Sequence, residues 1–404
     1  MEHGIVIVGA SIAGVNLVKQ LRKKGYEGKI TLVDKQKETP YDLMPLSKDW
    51  LLDGETFTPP LLQRETFYDD QHVQLRLDTE IIHFNPTEKT LQTATDEIIH
   101  YDKLVIAIGS VLRKMNAPNV DAKGIFYLRD FESALQLKEW GQKAKKLVIV
   151  GAGFIGLELA STFRQLGLKV TVLERGARPL EKIVGSDVSQ YFTDMHQSHG
   201  VKLLTNEEVK SFTKDEHGNV QSVVTASGKT IPCDMVVIGI GVVPNTSLSH
   251  DDLKIERGIV VNEYGETSIP DVYAAGDCTV WPYQNKLIHV EHWEHAYNHG
   301  QVIAKNLIEK DSTPYTVRPY FWTDEYDQTF EYLGHATEWH QTIIRGSLQE
   351  KQFTVAYVDE QNYPIAILFA NEGDKRAEVS AFMDQNKPID EDKFTDLSIR
   401  LHEM

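Results

Sequence analysis

The sequence predicts an α/β fold: two three-layer domains built on parallel sheets, followed by a smaller α+β domain. Three observations predict it. Two glycine-rich loops each sit between a strand-like run and an amphipathic helix. Strand and helix patterns alternate through about residue 320. After Pro319 the pattern turns aromatic and alternating.

The first loop, Gly9-Ala10-Ser11-Ile12-Ala13-Gly14, follows Ile5-Val6-Ile7-Val8. The second, Gly151-Ala152-Gly153-Phe154-Ile155-Gly156, follows Leu147-Val148-Ile149-Val150. A second strand follows each helix and ends in an acid: Asp34 after Ile30–Val33, and Glu174 after Val170–Leu173. The glycines allow a tight turn and let backbone N–H groups approach a pyrophosphate. The helix N-terminus adds partial positive charge, and the acid accepts ribose hydroxyls. Each acid trails its first glycine by close to the ~20 residues expected. One such loop is a weak signal. Two in the same strand–loop–helix–strand–acid context predict two Rossmann-like domains and two bound dinucleotides. That pairing suggests a flavin exchanging electrons with a nicotinamide.

The 404 residues leave room for roughly two or three domains, and 41% hydrophobic residues supply a core. A formal charge of −17 argues against unspecific binding to nucleic acid or an anionic membrane. The two cysteines, Cys233 and Cys278, form no CxxC pair, so neither a disulfide framework nor a thioredoxin-type redox pair is expected. The first strand begins within a few residues of the start, and no apolar run reaches the ~18 residues of a membrane span. No signal peptide and a reducing, cytoplasmic setting are expected.

Further along, Leu104–Ile108 reads as a strand ending in Gly109-Ser110. The stretch from Val111 to Gly124, with Pro118, reads as an irregular crossing between domains. Val209 to Ile231 alternates and turns at His217-Gly218-Asn219, which suggests a β-meander. Met235–Ile238 is a further strand, and Val272–Ala275 a short buried one ending in Gly276-Asp277. Phe353–Val358 and Ile365–Phe369 predict an antiparallel sheet, and the acidic tail from Asp390 opens a surface helix.

With these motifs in place, the whole chain resembles the flavin-dependent pyridine nucleotide–disulfide oxidoreductases. More narrowly it is similar to their ferredoxin reductase branch, which includes putidaredoxin and rubredoxin reductases and dioxygenase reductase components. The branch marks are Pro45-Leu46-Ser47-Lys48, Glu291-His292-Trp293 and Phe321-Trp322-Thr323-Asp324-Glu325-Tyr326-Asp327. Ala107-x-Gly109 and Gly276-Asp277 belong to the wider superfamily. Three departures stand out. Leu43-Met44 replace an Arg-Pro, Glu325 and Glu331 stand where Gln is usual, and Ser11 replaces a glycine.

The resemblance implies an FAD-binding domain over 1–112 and 240–319, an inserted NAD-binding domain over 113–239, and a C-terminal α+β domain over 320–404. It places Lys48 beside the isoalloxazine ring, where a cation favours negative charge on reduced flavin. It places Glu158 at the nicotinamide site, paired with Lys48. By themselves these two would read as a surface lysine and a solvated helix-face acid. Asp277 is implied to accept hydrogen bonds from the ribityl chain, Arg129 to face the pyrophosphate, and Trp293 and Trp322 to lie near the flavin edge. Lys35, Ile81 and Gly241 join the glycine loops, Ile155, Asp34 and Glu174 in the implied cofactor set.

His289, His292, His295 and His299 fall at helical spacings. The family carries no metal there, so a solvated or partner-facing cluster is expected and no metal site. The implied activity is hydride transfer from NADH to FAD, then electron release to a small iron–sulfur protein such as a ferredoxin or rubredoxin. An NADH oxidase or diaphorase reducing oxygen or quinones is one alternative. An NADH-responsive interaction protein like apoptosis-inducing factor is another. A monomer or homodimer is expected.

Overall fold

The computed structural model of the protein describes residues 3–373 and 375–404. Contacts divide the chain into two compact units. One holds Met1–Met44, Phe57–Arg113 and Val242–Pro319, and the other Pro45–Thr56, Lys114–Gly241 and Tyr320–Met404.

The first unit is built on a five-stranded parallel sheet in the order Val272–Ala274, Lys103–Ile106, Ile5–Val8, Ile30–Val33, Val73–Arg76. Ile5–Val8 is apolar and buried at all four positions, as a central parallel strand covered on both faces must be. Its side chains alternate. Ile5 and Ile7 join a core with helices Ile12–Lys23 and Trp293–Ile308, through Val15, Leu17, Leu21, Ile303 and Leu307. Val6 and Val8 face the other way, into a core with Phe84, Leu91 and Trp281.

That second face departs from the strand–helix alternation expected through residue 320. Residues Ile81–Asn85, Thr90–Thr93 and Ile98–His100 form an antiparallel meander. Lys89 and Asp96 turn it with positive φ, 52° and 64°. Of its apolar side chains only Phe84, Leu91 and Ile99 are buried, too few per strand for a strong periodic signal. The crossing expected to be irregular from Val111 also begins as a strand. Ser110–Leu112 pairs antiparallel with Val242–Pro244, a partner too distant in sequence for local pattern to reveal.

The second unit repeats the plan with the parallel order Lys202–Leu204, Lys169–Leu173, Lys146–Val150, Met235–Ile238, Ile125–Phe126. A meander of Val209–Lys214, Val220–Thr225 and Thr230–Pro232 is attached. Helix Phe131–Gly141 starts at a reciprocal cap between Asp130 and Ser133. Helix Phe154–Gln165 packs against strand Tyr320–Glu325. That strand leads an antiparallel sheet of five, continued by Gln328–Gly334, Pro364–Ala370, Gln352–Val358 and Gln341–Ser347.

The C-terminal tail is fastened to this last sheet. Arg345 is buried, and its guanidinium donates to the carbonyls of Phe394 and Asp396 (both 2.7 Å) and Ile399 (2.8 Å). Phe394 and Leu401 fill the core beside it. Arg345→Met strands these acceptors, so the variant should lose about 2–4 kcal/mol by urea unfolding. Limited proteolysis should also cut beyond residue 390 faster than in the parent. Unchanged stability and cleavage would contradict the clamp.

Candidate functional site

Both glycine loops close the same way. Gly9 has φ 112°, and a Cβ there would stand 2.1 Å from the Ala107 carbonyl oxygen. Gly151 has φ 103°, and its Cβ would stand 2.3 Å from the Gly239 oxygen. Only glycine fits either position. The acid at the end of each second strand is tied to its loop. Asp34 accepts the N–H of Ala10 (2.5 Å) and of Gln36 (2.9 Å). Glu174 accepts the N–H of Ala152 (2.9 Å) and of Gly176 (2.5 Å). The helices start at Ser11 and Gly153 without a side-chain cap, and a Cβ on Gly153 would meet nothing within 4 Å. Uncapped first-turn N–H groups at an open helix start suit a pyrophosphate. Ser11 does not fill that role with its own hydroxyl, so its replacement of a glycine leaves the first cradle usable.

In the second unit the carboxylate of Glu158 is buried on helix Phe154–Gln165, just beyond the loop. Its Oε1 lies 3.0 Å from Lys48 Nζ and accepts the Thr323 hydroxyl at 2.7 Å. Its Oε2 accepts the Ser47 hydroxyl at 2.6 Å. The Lys48 ammonium also reaches Asp324 Oδ2 at 2.9 Å. Burial pushes the Glu158 carboxyl above its ordinary range, and Lys48, Ser47 and Thr323 pull it back only in part. Burial alone would lower Lys48, but Glu158 and then Asp324 outweigh it and hold the ammonium above its usual pKa. Two carboxylates around one ammonium keep the cluster avid for protons.

The short segment that carries Lys48 is gripped from two helices. Thr162 donates to the Ser47 carbonyl (2.7 Å). Lys138, buried on helix Phe131–Gly141, donates to the carbonyls of Trp50 (2.7 Å) and Thr56 (2.6 Å) and sits 4.2 Å over the Trp50 ring. Sequence reasoning missed Lys138 and Asp324 as parts of this cluster. A lysine on a helix and an aspartate in an aromatic strand carry no local sign of their partners.

The remaining candidates are spread over both units. In the first, Ala13 and Gly14 lie on the helix after the loop, and Lys35 is exposed beside Asp34. Ile81 opens the meander, Ala107 backs Gly9, and Gly109 accepts the Asn245 N–H (2.9 Å). Asp277 Oδ2 accepts the Ser110 hydroxyl (3.3 Å), and Gly276 takes φ 72°. Trp293 stacks on Tyr297, and its indole N–H donates to Asp42 Oδ1 (3.0 Å). In the second unit, Ile155 is exposed on the loop helix, and Gly156 packs against the Gly151 carbonyl. The Arg129 backbone N–H donates to Ser133 Oγ (3.0 Å). Gly241 closes the segment after strand Met235–Ile238, and Trp322 lies on strand Tyr320–Glu325.

Two of the four histidines depart from the solvated or partner-facing cluster expected. His295 and His299 are buried in the first unit, 3% and 0% exposed. His295 Nδ1 meets the Tyr315 hydroxyl at 2.9 Å and stacks on Trp281. His299 Nδ1 accepts the Gly276 N–H at 3.3 Å. The helical spacing that looked like an exposed stripe is the helix's core-facing side. Burial lowers His299 to about 3, and burial with its histidine neighbours lowers His295 well below the ordinary value. No group of three potential metal ligands converges among the described residues. Cys233 and Cys278 are both free and buried, and burial pushes each thiol up to about 12. Neither is a thiolate at neutral pH.

Residues 3–300 match the family model for pyridine nucleotide-disulphide oxidoreductases, and residues 320–404 match the reductase C-terminal model. The chain belongs to that oxidoreductase family. Among its relatives, the 5,5'-dehydrodivanillate O-demethylase ferredoxin reductase subunit of a Sphingobium species is 32% identical over 99% of this chain and 97% of its own length. Putidaredoxin reductase of Pseudomonas putida is 31% identical over 90% of each chain. Of solved structures, the ferredoxin reductase for the CYP199A2 system of Rhodopseudomonas palustris superposes with a TM-score of 0.94 at 30% identity, covering 99% and 98% of the two chains. The covalent putidaredoxin reductase–putidaredoxin complex gives the same TM-score and identity, covering 99% and 97%.

The family uses FAD and NAD(H), and the two open, uncapped cradles fit two dinucleotides. Among the described residues no helix is long and apolar enough to cross a membrane.

Lys48→Met leaves Glu158 buried beside only hydroxyls and should cost about 3 kcal/mol in urea unfolding. Glu158→Gln should cost less, because Lys48 keeps Asp324. The double variant should lose less than the two single losses combined, and strict additivity would mean the pair is not coupled. Protein stability should also fall as pH drops below about 6.5, because the unfolded chain protonates His295 and His299 while the folded one excludes the proton until about pH 3 for His299. The slope from each residue approaches about 1.4 kcal/mol per pH unit. Urea midpoints of the parent and His299→Gln between pH 7.5 and 5.5 test it, and equal slopes would refute this assignment.

Proposed function

We propose that the protein is an FAD-dependent NADH oxidoreductase that passes electrons to a small iron–sulfur protein such as a ferredoxin or rubredoxin. The observation that carries the reading is the pair of glycine cradles, each with its own acid, joined in one chain to the buried Lys48–Glu158 pair. Relatives that share nearly the full length are ferredoxin reductase components, and one solved neighbour is putidaredoxin reductase joined covalently to putidaredoxin.

Bound FAD supplies the hydride-accepting and one-electron-donating chemistry. In this reading the FAD domain comprises 1–112 and 240–319, and the NAD domain 113–239. The first loop, from Gly9 to Gly14, holds the FAD pyrophosphate. Asp34 holds its ribose, and Asp277 its ribityl chain. The second loop, from Gly151 to Gly156, holds the NADH pyrophosphate, and Glu174 orients the adenine ribose. Lys48 sets positive charge at the flavin ring, and Glu158 keeps that cation placed. Trp293 and Trp322 line the flavin edge, and Arg129 faces the phosphates. The 320–404 region forms a third domain on this view.

With both thiols buried and protonated, the chain has no internal disulfide relay. Neither cysteine would therefore take part in passing electrons on to the acceptor. Dependence on NADH and two unpaired cysteines favour a cytoplasmic setting.

The test is anaerobic titration of the yellow holoprotein with NADH, followed by turnover with ferredoxin and rubredoxin as acceptors. One FAD per chain, bleaching by one equivalent of NADH and turnover with an iron–sulfur acceptor are expected. Fast turnover with oxygen alone would favour an oxidase instead.

Glu174 also predicts the nucleotide preference. Its fixed carboxylate repels a 2′-phosphate, so kcat/KM for NADH should exceed that for NADPH by about 100-fold, and Glu174→Ser should narrow the gap to about 10-fold. Equal values in the parent would overturn the role of Glu174.

A further inference from the structure

Three successive residues of strand Tyr320–Glu325 each fasten a different part of the second unit. Thr323 donates to Glu158 on helix Phe154–Gln165 at 2.7 Å. Asp324 takes the Lys48 ammonium at 2.9 Å. Glu325 meets His196 on helix Glu181–Ser198 at 2.5 Å, both side chains fully buried. Asp324 is the unusual member, because Lys48 already has a carboxylate in Glu158. One ammonium therefore faces two carboxylates.

The two carboxylates are not equivalent. Glu158 is buried and keeps its charge only against a desolvation cost. The Asp324 side chain is 42% exposed, so solvent shares in holding it. Its second oxygen accepts the Thr329 hydroxyl at 2.7 Å, which fixes the carboxylate in place. Lys48 is thus stretched between a buried anchor and a solvent-facing one.

We propose that Asp324 is a positioning residue that holds Lys48 between two carboxylates and subtracts from the positive charge it presents. This rests on Lys48 being the cation at the flavin. A bare cation there would favour negative charge on the reduced ring and slow its loss of electrons. Asp324 offsets part of that field. It biases the site toward release of electrons to a one-electron acceptor rather than their retention. Because the carboxylate is half-exposed, its effect is partly screened and amounts to a small factor.

The test uses the FAD-loaded protein and reads the flavin midpoint potential by dye equilibration, alongside stopped-flow reduction by NADH. Asp324→Asn keeps a carbonyl for Thr329 but removes the charge. It should shift the potential to a less negative value and speed reduction by NADH about two- to five-fold. Asp324→Glu should return both values toward the parent, which a merely structural role would not predict. In the Lys48→Met background, Asp324→Asn should still shift the potential to a less negative value, because the carboxylate's own field adds to that of Lys48 and remains when the ammonium is gone.

If Lys48→Met itself leaves the potential unchanged, Lys48 is not at the flavin, and the reading beneath the proposal fails. If Lys48→Met lowers the potential while Asp324→Asn leaves it unchanged or more negative, the role of Asp324 is overturned and that of Lys48 survives.

Discussion

A buried carboxylate governs the second unit. Glu158 sits inside helix Phe154–Gln165, two residues past the last glycine of its loop, at 4% exposure. An ion left there without partners would cost several kcal/mol. The chain meets that cost with donors from remote places: Ser47 and Lys48 from one short segment, and Thr323 from strand Tyr320–Glu325. The need for those donors accounts for why Pro45–Thr56 is packed with Lys114–Gly241 rather than with the residues on either side of it in sequence. Lys138 and Thr162 then hold the segment by its carbonyls. The result is a charge cluster whose geometry is set from several elements at once, as a site that must stay in register requires.

The same strand–loop–helix plan serves twice because its requirements are local. A glycine with positive φ lets the turn approach a neighbouring strand's carbonyl, at Gly9 against Ala107 and at Gly151 against Gly239. An acid at the end of the next strand ties back to the second loop residue, Asp34 to Ala10 and Glu174 to Ala152. These contacts stiffen the cradle before any dinucleotide arrives. The helix N-termini above them carry no side-chain cap, which leaves their N–H groups for an anion.

The departures from the family pattern find partners that local sequence does not show. Glu325 meets His196 in a fully buried pair. Glu331 accepts the Tyr320 hydroxyl at 2.6 Å on the adjacent strand. Each acid has found a donor where a glutamine amide would have served. The histidines of helix Trp293–Ile308 show the reverse lesson. Their spacing suggested an exposed face, yet His295 and His299 are core residues because Trp281 and Tyr315 cover that side.

Read from residues alone, the chain declared what depends on short stretches: both glycine loops, the acids Asp34 and Glu174, the all-apolar parallel strands, and the change to an antiparallel sheet after Pro319. These follow from local sterics and from periodicity, which a few consecutive residues carry in full. Tertiary structure decided the rest. It turned Ile81–His100 into a meander, paired Ser110–Leu112 with Val242–Pro244, and buried His295 and His299. It also brought Asp324 to Lys48 across most of the chain. Each of these depends on which distant group removes water from a side chain or answers its charge. That is a property of the packed molecule and of no segment within it.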